Sequence, residues 1–144
     1  MAAFSNYLEN AIIAWAFTGT SFPAIPVSGT VYVSLHTGDP GDIGSNEVVK
    51  GVTNYDRVAV AAAGWTKNLS SPASATNLAD ITFPTSGTVT WSAGGSGITH
   101  VGIWDSALGG SNNFLFGGSL TTARVVAVGD VFKFLANNLT ISVA

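Results

Sequence analysis

From Thr30 to the C-terminus the chain breaks into short apolar segments with residue-by-residue alternation, each ended by Gly, Pro, Asn or Asp. No stretch with helical periodicity lies between them. Thr30 to His36 sets the pattern: Val31, Val33 and Leu35 fall on one face, Tyr32, Ser34 and His36 on the other. Thr37-Gly38-Asp39-Pro40-Gly41 then breaks it. Further strands are expected over Arg57 to Ala62, Trp65 to Leu69, Asp80 to Phe83, Thr88 to Ser92 and Ile98 to Asp105. Asn113 to Gly117, Leu120 to Val126, Val131 to Leu135 and Asn138 to Val143 complete the set. Gly94-Gly95, Gly109-Gly110 and Gly129-Asp130 mark bends. Parallel α/β architecture is excluded, because a parallel crossover needs a dozen or more residues and usually a helix. The expected fold is all-β: one antiparallel β-sandwich or jelly roll, with a small closed barrel as the alternative.

The one expected helix precedes this region, around Asn6 to Phe17. Asn6 is the expected cap, Glu9 its capping-box partner, and Thr18-Gly19 the stop. Leu8, Ala11, Ile12 and Trp15 fall at i, i+3, i+4 and i+7, one apolar stripe. Ile13, Ala16 and Phe17 widen the stripe, which implies cover on more than one side. Phe22-Pro23-Ala24-Ile25-Pro26-Val27 follows as an extended arm, since two prolines three residues apart forbid regular pairing. Residues 1–29 therefore read as helix and arm, and residues 30–144 as the β-sandwich, one domain overall. The arm lies across its own domain or across a neighbour. On the second reading Phe22, Pro23, Ile25, Pro26 and Val27, with Trp15, form a protein–protein interface.

Charge decides which functions are left. Only 9% of the 144 residues are charged, against roughly 25% in an average globular chain. A folded monomer of 14.7 kDa exposes about 6,900 Å². Its 13 formal charges then stand about one per 530 Å². Five basic residues at a net charge of −3 cannot neutralise a phosphate track, so no nucleic-acid partner is expected. No membrane span is expected either, because the longest apolar stretch, Ala11 to Phe17, is far below the roughly 20 residues required. Nothing basic precedes that stretch, so a secretory signal is not expected. A surface so poor in charge favours association. The absence of cysteine removes disulfides, thiolate metal sites and a cysteine nucleophile.

Candidate chemistry is sparse. His36 and His100 sit on different strands, and no G-x-S-x-G elbow aims a serine. Each histidine reads as a hydrogen-bonded sheet residue, and no catalytic residue is assigned. His36, Asp39, Asp42 and Glu47 share a Gly-rich loop where carboxylates can gather around a cation. Their spacing fits no EF-hand, and Asp39-Pro40-Gly41 is an ordinary turn signature, so no metal or cofactor is assigned. Asp56-Arg57 reads as a strand-edge ion pair of small value. Gly94-Gly95-Ser96-Gly97 lacks the lysine and helix of a phosphate loop. Trp65, Trp91, Trp104 and Tyr55 are either core residues or stacking platforms for sugars.

Several stretches together resemble a family of small tailed-phage virion proteins. Val31-Tyr32-Val33-Ser34-Leu35-His36-Thr37-Gly38-Asp39-Pro40 is similar to its V-x-L-H-T-x-D-P strand and turn. Tyr55-Asp56-Arg57-Val58-Ala59-Val60, followed by Trp65, is similar to its Y-x-R-x-x-V segment. Ile81-Thr82-Phe83-Pro84 and Ile98 to Asp105 resemble the two strands that follow, and Leu115 to Leu120 with Val128-Gly129-Asp130 completes the order. The resemblance implies an all-β structural protein with no catalytic residues. Members are often labelled tail-fibre-like, while similar proteins act as capsid cement or decoration subunits. A fibre usually needs a coiled-coil or repeated β shaft, which this chain lacks. The expectation is therefore a capsid cement protein on the outer shell. Its partners would be the major capsid protein and further copies of itself, as a homodimer or homotrimer. The alternative is a tail or tail-fibre-associated structural or adhesion module.

Overall fold

The computed structural model describes residues 3–23, 29–51, 53–91, 97–108 and 112–143. Among them are ten strands: β1 (Ala3–Phe4), β2 (Thr30–His36), β3 (Val58–Ala61), β4 (Trp65–Asn68) and β5 (Ala73–Asn77), then β6 (Ile81–Thr82), β7 (Ile98–Trp104), β8 (Phe114–Arg124), β9 (Lys133–Phe134) and β10 (Thr140–Val143). One α-helix, α1 (Asn6–Thr18), and two 3-10 turns, Gly41–Ile43 and Ala62–Gly64, complete the fold. Pairing is antiparallel throughout, in a five-stranded sheet β1-β8-β7-β2-β3, a three-stranded sheet β10-β5-β4 and a two-stranded sheet β6-β9. The expected all-β fold with a single N-terminal helix is the observed one.

Alternation places the core. Val33 and Leu35 of β2, with Val101 and Ile103 of β7, turn inward from the five-stranded sheet towards Trp65 and Leu139. An aromatic cluster fills the other end: Tyr55 meets Trp91 edge-on at 5.4 Å, Phe83 meets Phe132 at 5.9 Å, and Phe132 meets Phe134 at 5.1 Å. Edge-on ring contacts of this kind add about 0.5–1.5 kcal/mol beyond area burial.

Five local expectations are corrected. Ser5, not Asn6, caps α1: its hydroxyl accepts from the Leu8 amide at 3.2 Å and donates to the Phe114 carbonyl. Asn6 is the first helical residue. Among residues 88–91 there is no strand, and Trp91 is held instead by single bonds, its amide to Val126 O at 2.9 Å and its Nε1 to Thr53 O at 2.6 Å. Asn113–Gly117 and Leu120–Val126 are one strand, β8. Its Gly117-Gly118 pair does not turn the chain; a Cβ at Gly117 would lie 2.7 Å from Pro40, so the glycine admits close approach of the loop. Strand β5, with the small and polar sequence Ala-Ser-Ala-Thr-Asn, was not expected; it pairs with both β4 and β10.

The fifth correction concerns Arg57. It does not pair with Asp56, whose carboxylate takes Lys50 instead. Arg57 donates Nε and NH2 to the two Glu47 oxygens, each at 2.8 Å, and NH1 to Ser106 O at 2.9 Å and Asn112 Oδ1 at 3.0 Å. Its guanidinium also lies 3.7 Å from the centre of the Trp104 ring. Glu47 further accepts from the Tyr55 hydroxyl at 3.0 Å, and that hydroxyl accepts from the Leu35 amide at 3.0 Å. The Arg57 side chain is 2% exposed and Glu47 12%. Removing one partner of a buried pair strands the other charge, typically at about 3–5 kcal/mol. Urea unfolding of Glu47→Ala is expected to show a loss of that size. Lys50→Ala, which breaks an exposed pair, is expected to change stability by less than about 1 kcal/mol.

Candidate functional site

Strand β2 carries a serine–histidine pair of catalytic appearance. Ser34 and His36 are two residues apart on the same face, and Ser34 Oγ lies 2.7 Å from His36 Nε2. The other ring nitrogen, Nδ1, lies 2.7 Å from the Ser45 carbonyl oxygen, which can only accept. Nδ1 therefore carries the proton, Nε2 accepts from the Ser34 hydroxyl, and Trp104 Nε1 donates to Ser34 Oγ at 2.9 Å. Every polar atom of the pair is satisfied. Both residues are 0% exposed, so no substrate reaches them from outside the fold. Gly102, opposite Ser34 in the register, makes the room: a Cβ there would lie 2.6 Å from both His36 Nε2 and Ser34 Oγ.

The loop expected as a cation candidate is dispersed. His36 points inward and has both nitrogens engaged. Asp39 Oδ1 accepts from the Gly41 amide at 2.9 Å, closing its own turn, and Glu47 is committed to Arg57. Among the described residues no group of three or more His, Asp or Glu side chains is placed to hold a metal ion. The four aromatics weighed as sugar platforms are core: Tyr55, Trp65, Trp91 and Trp104 are all under 8% exposed. Of the Gly94-Gly95-Ser96-Gly97 and Gly109-Gly110 bends, only Gly97 lies within the described residues.

What the fold leaves uncovered is apolar. Of the α1 stripe, Leu8 and Ala11 are buried and Ile12 half-buried, but Trp15 is 57% exposed. Phe22 packs its ring edge-on against Trp15 at 6.2 Å and is itself exposed. The structure thus brings together Trp15 and Phe22 of the expected interface, with Pro23 half-buried beside them; Ile25, Pro26 and Val27 lie outside the described residues. Ile13, at 57%, and Phe17, at 80%, are exposed as well, but each is two residues from Trp15 along the helix and so lies on another side of it. The widened stripe of Ile13, Ala16 and Phe17 implied cover on more than one side of the helix; that expectation is corrected, since all three are exposed. Single exposed apolar residues are normal, whereas a contiguous group of large ones marks an interaction surface.

Burial disfavours the charged form of His36 and lowers its pKa; the Ser45 hydrogen bond and the Glu47 charge oppose this, and the Arg57 charge adds to it. In the unfolded chain the same ring titrates at about 6.5. Below that pH the unfolded state binds a proton that the folded state does not, so stability falls as pH falls. The expected slope between pH 6.5 and 5.5 is up to about 1.4 kcal/mol per pH unit. Chemical denaturation across that range checks it, and His36→Gln should flatten the slope while lowering stability at pH 7.

Comparison with known proteins identifies the family of the chain. No curated protein matches it. The model of the podophage GP4 fiber I protein gp80 family matches residues 3–142, from β1 to β10. The match spans the helix with its exposed aromatics and all three sheets. The chain therefore belongs to the podophage GP4 fiber I protein gp80 family, a family of fibre-type structural proteins of the phage virion.

Proposed function

We propose that the chain is a structural subunit of the phage tail-fibre assembly, working through contact area rather than through chemistry. The observation that carries this is the uncovered apolar surface around α1, where Trp15, Phe17 and Phe22 stand exposed on a chain with very few charges. Desolvating such a surface carries little electrostatic penalty. A stable contact of standard size buries about 1,200–2,000 Å² in total. The fibre description of the family supports the tail as the location. It favours the tail alternative over the capsid cement expectation, in which the partner was the major capsid protein on the outer shell. That expectation rested on the compact chain and the missing shaft, and a short fibre built from several chains can supply length by assembly instead.

Gold-labelled antibody on intact particles, with copy number from quantitative mass spectrometry, tests the location. Label at the tail with a small copy number is the expected result; hundreds of copies over the shell would overturn it in favour of cement. The contact surface is tested by Trp15→Asp combined with Phe22→Asp. Incorporation into particles is expected to fall at least tenfold, while the unfolding free energy changes by less than about 1 kcal/mol, as for exposed positions.

A further inference from the structure

A second apolar feature lies away from α1. Between the five-stranded and three-stranded sheets a cleft of about 390 Å³ opens, walled by Val31, Ile103 and Phe116 on one side and Trp65, Ile141 and Val143 on the other. It lies within the size range of sites that hold a ligand or side chain. Trp65 is 7% exposed, and its Nε1 has no hydrogen-bond partner. Lys67, exposed on the same strand, also lines the cleft; it donates to the Ala62 carbonyl oxygen at 2.7 Å and makes no ion pair among the described residues.

Helix α1 carries the complementary set. Glu9, Ile13 and Phe17 fall at i, i+4 and i+8, and all three are exposed. Phe17, at 80%, is the most exposed aromatic among the described residues, and Glu9 is the only charge on α1. Glu9 makes no ion pair among the described residues, and it has the opposite sign to Lys67. The three ion pairs among the described residues, Lys50–Asp56, Arg57–Glu47 and Lys133–Asp80, use neither.

We propose that the cleft between the sheets receives the Ile13–Phe17 edge of α1 from a second copy of the chain, with Glu9 of one copy facing Lys67 of the other. The occupant is argued from charge complementarity and from both halves of the contact being present on one molecule. A contact of this type is heterologous, because the two surfaces differ, and it therefore propagates head to tail into a ring or a linear stack. It is a property of the chain alone and stands wherever on the particle the protein sits.

Sedimentation velocity on the purified full chain tests it. The wild type is expected to associate as concentration rises. Phe17→Asp removes the knob and Val143→Glu blocks the cleft, so each alone is expected to be monomeric, with unchanged circular dichroism. Mixed together they retain one intact knob and one intact cleft, and they are expected to form a dimer that grows no further. Glu9→Lys and Lys67→Glu are each expected to weaken association about tenfold, and the double exchange to restore it. A wild type that stays monomeric at every concentration overturns the proposal. So does association of Val143→Glu alone, which would mean that the helices pair with each other. If Val143→Glu fails to fold, Lys67→Glu mixed with Glu9→Lys gives the same decision: recovery in the mixture supports the proposal and its absence sinks it.

Discussion

The Arg57–Glu47 ion pair is the constraint on which the rest of this structure depends. A guanidinium taken out of water must have its donors met, and here four are met at once: two by Glu47, one by Ser106 and one by Asn112. The partners come from separate parts of the chain. Glu47 belongs to the loop after β2, Arg57 precedes β3, and Ser106 and Asn112 both lie in the β7–β8 connection. The Tyr55 hydroxyl carries the network on to the Leu35 amide, inside β2. In a chain with only 13 charged residues, two are thus spent fixing a long Gly-rich loop against the sheet.

Fixing that loop gives β2 a second buried face. Val33 and Leu35 face the main core, while Ser34 and His36 on the opposite face are equally buried. Glycines hold the layers close: a Cβ at Gly44 would collide with the Trp104 ring, and one at Gly117 with Pro40. A polar pair in such a place must be complete, and Ser34, His36, Trp104 and the Ser45 carbonyl complete each other. The same economy explains the exterior. One charged pair, Arg57–Glu47, is drawn inward, and the surface at α1 carries only the Glu9 charge beside its exposed apolar side chains.

Much of this was legible residue by residue. The helix and its Gly19 stop followed from apolar spacing and from a residue free to adopt the left-handed conformation, observed at φ 70°. The strands over β2, β3, β4, β7 and β10 followed from alternation. The failures have a common cause. Ser5 rather than Asn6 became the cap because β1 pairs with β8 and brings the Phe114 carbonyl to the Ser5 hydroxyl. β5 was unreadable because its small residues are half-buried between two partners and need no apolar face. Trp91 alternated with Val89 like a strand residue, yet it is an anchor in a loop. Trp15 was named as a candidate contact residue from the apolar stripe and Phe22 from the proline-flanked arm, and the structure leaves both exposed.

The sequence by itself determined the class of fold and the poverty of charge, since period-two alternation and composition are local properties that any arrangement must respect. Only the tertiary structure decided that Arg57 would meet Glu47 and not its neighbour Asp56, that the Ser34–His36 pair would be sealed from solvent, and that Phe17 and Trp15 would be left bare. Those outcomes depend on which distant segments are brought within hydrogen-bond or van der Waals reach, and no local pattern encodes that distance.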